Sequence, residues 1–316
     1  MKFYIDTAFK LLFLLSTLPF LLSEKLYDKY DFRLSGHIAD SLYSAPRALG
    51  ALDNEAINEA SGLVASKVHP FLLYTHNDSG GEPAVYMIDT LGRYQGKIIL
   101  DDIRNEDWED IAIGPGKDRS LSYIYVGDIG DNNAKRDKIL VYRFPEPLQV
   151  QEQITVTPER ITLTYPDGPR DAETLLVDPW SGDLLVLSKR DTSNTLYRAT
   201  AKQLEAQEVL LEKVMKLPVT MAVGGDISTD GKQILLKNYW AVYYWEREEN
   251  ESLEEVFART PAQLPYKPEP QGEAIGFSAD GDRYYTLSES RFRIKPVLYQ
   301  SHNLRYAADQ KKASNR

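Results

Sequence analysis

The sequence lacks cysteine altogether and is relatively poor in basic residues. Without cysteine there are no disulfide bonds, no thiolate catalysis, no thiolate metal sites and no lipid attachment through a cysteine. Lysine and arginine number 37 against 47 aspartates and glutamates, which gives a formal charge of −10. This balance argues against a nucleic-acid-binding protein, which needs a basic stripe to contact phosphates. It suits an exported soluble protein or one that holds cations.

Long hydrophobic runs are also absent beyond the N-terminus. The apolar run from Leu11 to Leu22, preceded by Lys2 and Lys10, is too short to cross a bilayer but matches the core of a secretory signal. We therefore predict a signal peptide over residues 1–23, a secreted or periplasmic protein, and no membrane span after the signal is removed. Leu21 stands where a small residue is expected before the cleavage site, so an uncleaved N-terminal anchor is the alternative.

A short pattern repeats through the rest of the chain. Each copy has a polar or small residue, a second small or polar residue and then an apolar strand. The copies begin 48, 64, 52 and 48 residues apart, a spacing typical of four-stranded propeller blades and too long for a leucine-rich or ankyrin unit. They are Ser61-Gly62-Leu63-Val64, Glu109-Asp110-Ile111-Ala112, Glu173-Thr174-Leu175-Leu176, Gly225-Asp226-Ile227-Ser228 and Glu273-Ala274-Ile275-Gly276.

Turn and strand signals follow the copies in the same order. Hairpin turns such as Ser228-Thr229-Asp230-Gly231 come after the first strand, and further apolar strands follow. The 20 Tyr, 19 Gly and 17 Pro also favour strands and turns over helices. Residues 201–211 are the exception, because their helical periodicity fits a short outer helix or a polar connection.

The repeat predicts an all-β fold, a β-propeller of four-stranded blades. Five blades are predicted, and a sixth blade split between residues 24–56 and 301–316 is the alternative. In the five-blade scheme residues 24–56 are an N-terminal segment whose residues 47–52 supply a ring-closing strand. Residues 57–306 are the propeller, and residues 307–316 are a flexible tail.

The antiparallel strand order predicts where the polar residues gather. The residues before the first strand and after the second strand of each blade lie on one face, and here they are rich in carboxylates. Carboxylates around one mouth of a central channel repel unless they are protonated, paired with Lys or Arg, or bound to a cation. Ca2+ tolerates the irregular oxygen ligands that separate blades offer. The candidate ligands are Asp107, Glu109, Asp131, Asn132, Glu173 and Glu273.

Other residues of this face are candidates for acting on a substrate. His76 and Asp128 are candidates for proton transfer, although His76 alternatively hydrogen-bonds a neighbouring loop. Lys189, Arg190 and Arg291 are candidates for binding an anionic group, or else neutralise the acidic residues. Further polar residues expected on the same face are Asp78, Asp110, Asp171, Asp226 and Tyr239.

A purely structural interpretation of the acidic loops stays open. In that interpretation Asp128 and Asp131 cap a turn, and Glu109 pairs with Arg136 or Arg104. The loop after Gly127 is not an EF-hand, because it lacks the twelve-residue pattern and the terminal Glu. No phosphate-binding glycine loop, nucleophile elbow or zinc-protease motif is present in the sequence.

Five strings of the sequence resemble a group of uncharacterised secreted bacterial β-propeller proteins. The strings begin at Thr75 (Thr-His-Asn-Asp-Ser-Gly-Gly), Asp107 (Asp-Trp-Glu-Asp-Ile-Ala), Tyr125 (Tyr-Val-Gly-Asp-Ile-Gly-Asp-Asn), Asp171 (Asp-Ala-Glu-Thr-Leu) and Gln271 (Gln-Gly-Glu-Ala-Ile). The resemblance spans roughly residues 58–300 and implies a propeller, but it implies no particular activity.

A looser resemblance links the chain to calcium-dependent propeller hydrolases, namely the gluconolactonase and paraoxonase group and the β-propeller phytases. Those proteins place acidic and amide ligands around a cation in or beside the central tunnel. The resemblance implies that Glu109, Glu173, Glu273 and Asn132 occupy equivalent places. It is one of architecture and residue type rather than of a long shared motif.

Two functions are consistent with these patterns. The first is a Ca2+-dependent hydrolase of an ester, a lactone or a phosphoester at the mouth of the channel, with a small anionic molecule as its substrate. The second is a non-catalytic propeller that binds a ligand or a protein and uses an ion or a salt-bridge network only for stability.

Overall fold

The computed structural model describes residues 38–290 and 294–305. In these residues the chain is almost entirely strand and turn, with one short α-helix, α1 (Leu253–Phe257), and one 3-10 helix (Gln203–Glu205). A capping box begins α1, because Ser252 accepts from the Glu255 amide while the Glu255 side chain accepts from the Ser252 amide. Within this part of the chain no helix has the length and hydropathy that a membrane crossing requires.

The strands are short and follow one another at regular intervals. In chain order they are β1 (Arg47–Ala51), β2 (Ala60–Ala65), β3 (Leu72–Asn77), β4 (Ala84–Asp89), β5 (Tyr94–Leu100), β6 (Trp108–Pro115), β7 (Ser122–Asp128), β8 (Ile139–Pro145), β9 (Gln153–Val156), β10 (Glu159–Thr164), β11 (Ala172–Val177), β12 (Leu184–Ser188), β13 (Thr195–Ala199), β14 (Glu208–Leu210), β15 (Glu212–Lys216), β16 (Gly224–Ile227), β17 (Gln233–Lys237), β18 (Val242–Glu246), β19 (Ala262–Leu264), β20 (Gly272–Phe277), β21 (Arg283–Ser288) and β22 (Val297–His302).

Five antiparallel sheets of four strands form the blades. From the innermost strand outward, blade 1 is β2-β3-β4-β5, blade 2 is β6-β7-β8-β10, blade 3 is β11-β12-β13-β15, blade 4 is β16-β17-β18-β19 and blade 5 is β20-β21-β22-β1. Each innermost strand packs against the innermost strand of the next blade, and β20 packs against β2. The ring therefore closes after five blades. The predicted five-bladed propeller is confirmed, and its six-bladed alternative is wrong.

The last blade is completed from the N-terminal side. β1 pairs antiparallel with β22, with Arg47 opposite Gln300 and Ala51 opposite Val297. The outermost strand of blade 5 is thus more than 200 residues away in sequence from the strand it pairs with. Pairing of this kind joins the two ends of the ring by backbone hydrogen bonds.

Blades 1 and 2 each gain a fifth strand that the repeat did not predict. β9 pairs in parallel with β5, and β14 pairs in parallel with β10. β14 lies in residues 201–211, where helical periodicity suggested a helix or a polar connection. Leu204, Val209 and Leu211 are buried in the core between blades 2 and 3. Leu204 is buried from the 3-10 helix Gln203–Glu205, whereas the extended strand β14 buries Val209 and covers the open edge of β10, which a longer helix would leave unpaired.

The core lies between the blades, because each blade is covered on both faces. All residues of β2, β3, β11 and β20 are buried. Between blades 2 and 3, for example, Tyr125, Val141, Leu175 and Tyr197 pack in one apolar cluster. Burying each such side chain contributes roughly 1.5–3 kcal/mol to stability. Continuous apolar strands in this sequence therefore reflect burial on two faces rather than one.

Two buried aspartates join neighbouring inner strands. The Asp110 carboxylate of blade 2 accepts from the Leu175 amide of blade 3 at 2.9 Å. The Asp226 carboxylate of blade 4 accepts in the same way from the Phe277 amide of blade 5 at 2.7 Å. Both residues were expected on the polar face, but they lie within the ring and hold blades together.

Candidate metal centre on the upper face

The ends of the two inner strands of each blade meet at one face of the ring, here called the upper face. The pairs at this edge are Ala60 with Asn77, Trp108 with Asp128, Ala172 with Ser188, Gly224 with Lys237 and Gly272 with Ser288. The predicted juxtaposition of the start of the first strand and the end of the second is therefore present in all five blades. The loops that carry the candidate site residues extend from this edge.

A β-bulge at the start of the inner strand determines which residue faces the ring axis. In blades 1, 2, 3 and 5 the register slips by one residue at this point. The unpaired residues are Ser61, Glu109, Glu173 and Glu273, and blade 4, which has no bulge, has Gly225 at this place of the repeat. Bulges re-aim a side chain, and the residue displaced is the recurrent glutamate in blades 2, 3 and 5 and Ser61 in blade 1.

Five carboxylates come together at the upper face, and we call them the carboxylate cluster. Oxygens of Asp78, Asp107 and Glu109 lie within 4.8 Å of one another, and so do oxygens of Glu109, Asp171 and Glu173. Glu109 belongs to both groups. Blades 1, 2 and 3 therefore converge on one buried glutamate, of which only 3% is exposed.

Burial and mutual repulsion raise the pKa of these groups. The pKa of Asp78 is raised to about 7, first by burial and then by the negative charges of Glu273 and Asp107. Burial and the neighbouring carboxylates, Glu173 first among them, hold the pKa of Glu109 well above its ordinary value. Burial also raises the pKa of Asp107. The cluster thus holds more negative charge than its surroundings stabilise at neutral pH.

The Asp171 and Glu173 side of the cluster is neutralised by the protein itself. The Lys189 ammonium contacts the Glu173 carboxylate, and both side chains are buried. Arg190 Nε lies 2.5 Å from Asp171 Oδ2. Tyr239 connects this side to blade 5, since its hydroxyl lies 3.1 Å from Lys189 Nζ and donates to Glu273 at 2.6 Å. Lys189, Arg190 and Glu273 are thus placed at the upper face and engaged with other side chains.

The Asp78 and Asp107 side has no such cation. In the described part of the chain no lysine or arginine forms an ion pair with Asp78, Asp107 or Glu109. Asp78 Oδ1 is buried and has no hydrogen-bond partner among the described residues. Arg136, one of the two arginines considered as a partner of Glu109, pairs instead with Asp128 at 2.8 Å, and Arg104 forms no ion pair with Glu109 within the described chain. The charge of Arg136 partly offsets the effect of burial on the pKa of Asp107, but the described residues place no lysine or arginine in an ion pair with any of the three carboxylates.

The predicted ligands in the loop after β7 are engaged in hydrogen bonds with arginines. The Asp131 carboxylate accepts from the Arg136 amide at 2.7 Å, which makes it a turn cap. The Asn132 side-chain oxygen accepts from Arg190. Asp131 and Asn132 thus lie at the upper face, as predicted, but their side chains do not belong to the carboxylate cluster. Asp78 and Asp171, which were expected on this face but not as metal ligands, belong to the cluster instead.

Of the remaining predicted site residues, two are buried below the upper face, and the third is not among the described residues. His76 is fully buried, and its ring packs edge-on against Trp108 with a centroid distance of 5.8 Å. Burial lowers its pKa to about 4, so the ring is neutral at physiological pH. Asp128 is 1% exposed and held by Arg136, so neither residue meets solvent at the upper face. Arg291 lies outside the described residues.

Comparison with other proteins adds only a general likeness. No protein-family model matches the chain, and no curated protein matches it. Among solved structures, the PQQ-bound aldose sugar dehydrogenase from Streptomyces coelicolor is similar over 83% of this chain and 99% of its own, at 11% identity and a TM-score of 0.47. Hydrazine synthase from Kuenenia stuttgartiensis (77% and 95%, 10% identity, TM-score 0.41) and a nidogen/laminin complex (73% and 73%, 13% identity, TM-score 0.42) are similar to it as well. No conclusion about function follows from likenesses of this size.

Proposed function

We propose that this propeller binds Ca2+ at its carboxylate cluster and is a cation-dependent hydrolase of an ester, a lactone or a phosphoester. The observation that carries the proposal is the position of Glu109. A β-bulge brings this buried glutamate between Asp78 and Asp107, and no lysine or arginine of the described chain pairs with the three. Protonation, which the raised pKa of Asp78 favours, and a divalent cation are the two ways left to relieve charge of this density, and we assign the cation.

The spacing of the oxygens supports one ion. Ca2+ binds oxygens at about 2.3–2.6 Å, so two ligands on opposite sides of the ion are about 5 Å apart. The oxygens of Asp78, Asp107 and Glu109 all lie within 4.8 Å of one another. The partnerless Asp78 Oδ1 gives further support, because a buried oxygen of this kind is otherwise costly. Ca2+ takes six to eight ligands, so three carboxylates leave room for water and for a substrate oxygen.

The second group of carboxylates is assigned a different role. Lys189 and Arg190 already supply positive charge to Glu173 and Asp171, which makes a second cation unfavourable there. Glu173 Oε2 has no hydrogen-bond partner among the described residues, and the carboxylate lies next to Glu109. We assign proton transfer to Glu173 rather than to the buried His76 and Asp128.

The chemistry follows from this arrangement. A bound cation polarises the scissile oxygen and lowers the pKa of water. Glu173 accepts the proton that an attacking water loses, because burial raises its pKa and so strengthens it as a base, while the charge of Lys189 acts in the opposite direction. Arg190, which is 47% exposed, faces solvent and contacts an anionic group of the substrate.

A second candidate function is a non-catalytic propeller in which the same residues only stabilise the ring. The chain of contacts from Glu173 through Lys189 and Tyr239 to Glu273 favours it, because it links blades 3, 4 and 5. In that case the cation would raise the melting temperature and no turnover would accompany it.

The test separates binding from turnover. Calcium content and Ca2+ affinity are measured for the natural protein, for Glu109→Gln and for the control Glu106→Gln, whose exposed carboxylate lies in the same loop outside the cluster. We expect Ca2+ binding in the natural protein and the control, and its loss in Glu109→Gln. The same proteins are then assayed on generic ester, lactone and phosphoester substrates with and without Ca2+. Binding without any turnover would support the second function, and unchanged binding by Glu109→Gln would overturn the proposed site.

A further inference from the structure

A basic groove lies on the lower face, opposite the carboxylate cluster. It runs between blades 2 and 3, where β6 and β13 end, and has a volume of about 310 Å3. The cationic side chains that line it are Lys117, Arg119, Arg143 and Lys202. The chain has a net charge of −10, so a groove lined by four cations is locally positive in a negatively charged protein.

Few carboxylates compensate these cations. Glu205 is the acidic residue of the lining, and Glu159 lies at the groove through its contacts with Lys117 and Arg143. Glu159 is shared, because Oε1 accepts from Lys117 at 2.8 Å and Oε2 accepts from Arg143 at 2.6 Å. Asp183, next to the lining residue Gly182, accepts from the Ala201 amide and is a third carboxylate at the groove, so the four cations still outnumber the carboxylates around it.

The uncompensated charge is carried mainly by two exposed residues. Within the described chain neither Arg119 nor Lys202 forms an ion pair. Arg119 reaches from blade 2 to blade 3, where its Nη2 donates to the Ser181 carbonyl at 2.7 Å. That bond fixes the guanidinium at the rim of the groove and leaves its other N–H groups for a ligand.

The floor of the groove is rigid. Arg143 is 3% exposed and its guanidinium lies near the rings of Tyr123 and Tyr125, with centroid distances of 5.9 and 5.8 Å. Gly182, at φ +81°, lies under the Arg119 guanidinium, and an added Cβ would come within 3.0 Å of it. A cationic pocket with a fixed floor binds an anion without first paying for its own ordering.

We infer that this groove binds a phosphate group, either inorganic phosphate or the phosphoryl end of a small phosphomonoester. Arg119 and Lys202, which form no ion pair within the described chain, suit an anion, and the guanidinium of Arg119 presents paired N–H donors that suit phosphate oxygens. A volume of about 310 Å3 holds a phosphoryl group together with a small organic portion. This site is independent of the proposed hydrolase function, since it shares no residue with the carboxylate cluster.

The experiment is titration calorimetry with inorganic phosphate and with glycerol phosphate, in EDTA and at constant ionic strength. EDTA removes Ca2+, so phosphate held by a cation at the upper face does not contribute. We expect binding by the natural protein and by Glu109→Gln, and a loss of affinity of about tenfold or more in the double variant Arg119→Ala/Lys202→Ala. Both replaced side chains are exposed, so the melting temperature without phosphate checks that folding is unchanged.

A control variant and the comparison of the two ligands complete the experiment. The control is Lys232→Ala, an exposed lysine in another part of the lower face, and it should bind phosphate like the natural protein. Tighter binding of glycerol phosphate than of phosphate would identify a phosphomonoester as the ligand, and the reverse would identify free phosphate. No binding of either by the natural protein, or equal binding by the double variant, would overturn the inference.

Discussion

Gly130 lies directly against the Glu109 carboxylate, in the loop that follows β7. A Cβ atom at position 130 would overlap Glu109 Oε1 and lie 2.5 Å from Asp107 Oδ2. The backbone of Gly130 is not in the left-handed region, so alanine is tolerated there by the backbone and opposed only by these side chains. We predict that Gly130→Ala displaces the two carboxylates and weakens Ca2+ binding by about 10- to 100-fold. Calorimetric titration with Ca2+ measures the change.

A matched glycine provides the control for this substitution. Gly81 lies in the loop after β3, and an added Cβ there would meet no atom within 4 Å. Gly81→Ala should therefore bind Ca2+ like the natural protein. Equal affinities for Gly130→Ala and Gly81→Ala would contradict a metal site at Glu109 and Asp107.

Stability without Ca2+ is predicted to fall as the pH rises from about 5 to 7.5. The pKa of Asp78 is about 7 in the folded protein against an ordinary value of 3.8. Between these values the folded state holds a proton that the unfolded state has released, so each rise in pH favours unfolding. The raised pKa of Glu109 acts in the same direction. Urea unfolding in EDTA at the two pH values measures the difference, and saturating Ca2+ should reduce it because the ion stabilises the ionised carboxylates.

Comparison with Asp78→Asn isolates the contribution of the cluster. His76 has an opposite effect, because its pKa of about 4 lies below the ordinary 6.5 and stability from this group is lost as the pH falls through that range. The histidine is present in both proteins and cancels in the difference. The asparagine variant should have a flatter dependence on pH in EDTA, and an unchanged slope would show that Asp78 is not the titrating group.

The architecture was predictable because the repeat records local and periodic requirements. Apolar runs that recur every 48 to 64 residues encode strands buried on both faces, and turn residues such as Asp230 and Gly231 end them. The clustering of polar residues at one face followed from antiparallel pairing alone. Glu109, Glu173 and Glu273 stand at the same place of the repeat, and the structure brings all three to that face.

The finer geometry depends on contacts between blades, which the repeat does not record. The bulge that displaces Glu109 exists only in the paired strands, so its effect on the side chain is invisible in sequence. Asp110 follows Glu109 directly, yet it binds the backbone of blade 3 instead of facing the mouth. His76 occupies space above Gly62, where an added Cβ would lie 2.8 Å from its Nε2. The histidine ring can be buried there because Gly62 has no side chain to occupy the same space.

The remaining prediction concerns the buried pair of Lys189 and Glu173. The side chains are 7% and 6% exposed, so removal of the ammonium leaves a carboxylate in a poorly solvated place. Lys189→Met should therefore lower the free energy of unfolding by about 3–5 kcal/mol in urea titrations at neutral pH. The double variant Lys189→Met/Glu173→Gln should recover most of this loss, because no buried charge is then left alone.

Arg190→Met serves as the control for Lys189→Met, because it removes the other cation that pairs with a carboxylate of the cluster. Arg190 pairs with the buried Asp171 at 2.5 Å but is itself 47% exposed, and the Asp131 amide also donates to Asp171, so Arg190→Met should cost less than Lys189→Met. Lys189 also neutralises part of the charge around Glu109, and its removal should consequently tighten Ca2+ binding while it weakens the fold. A Lys189→Met variant that is as stable as Arg190→Met and binds Ca2+ no better would mean that the ammonium does not compensate the cluster.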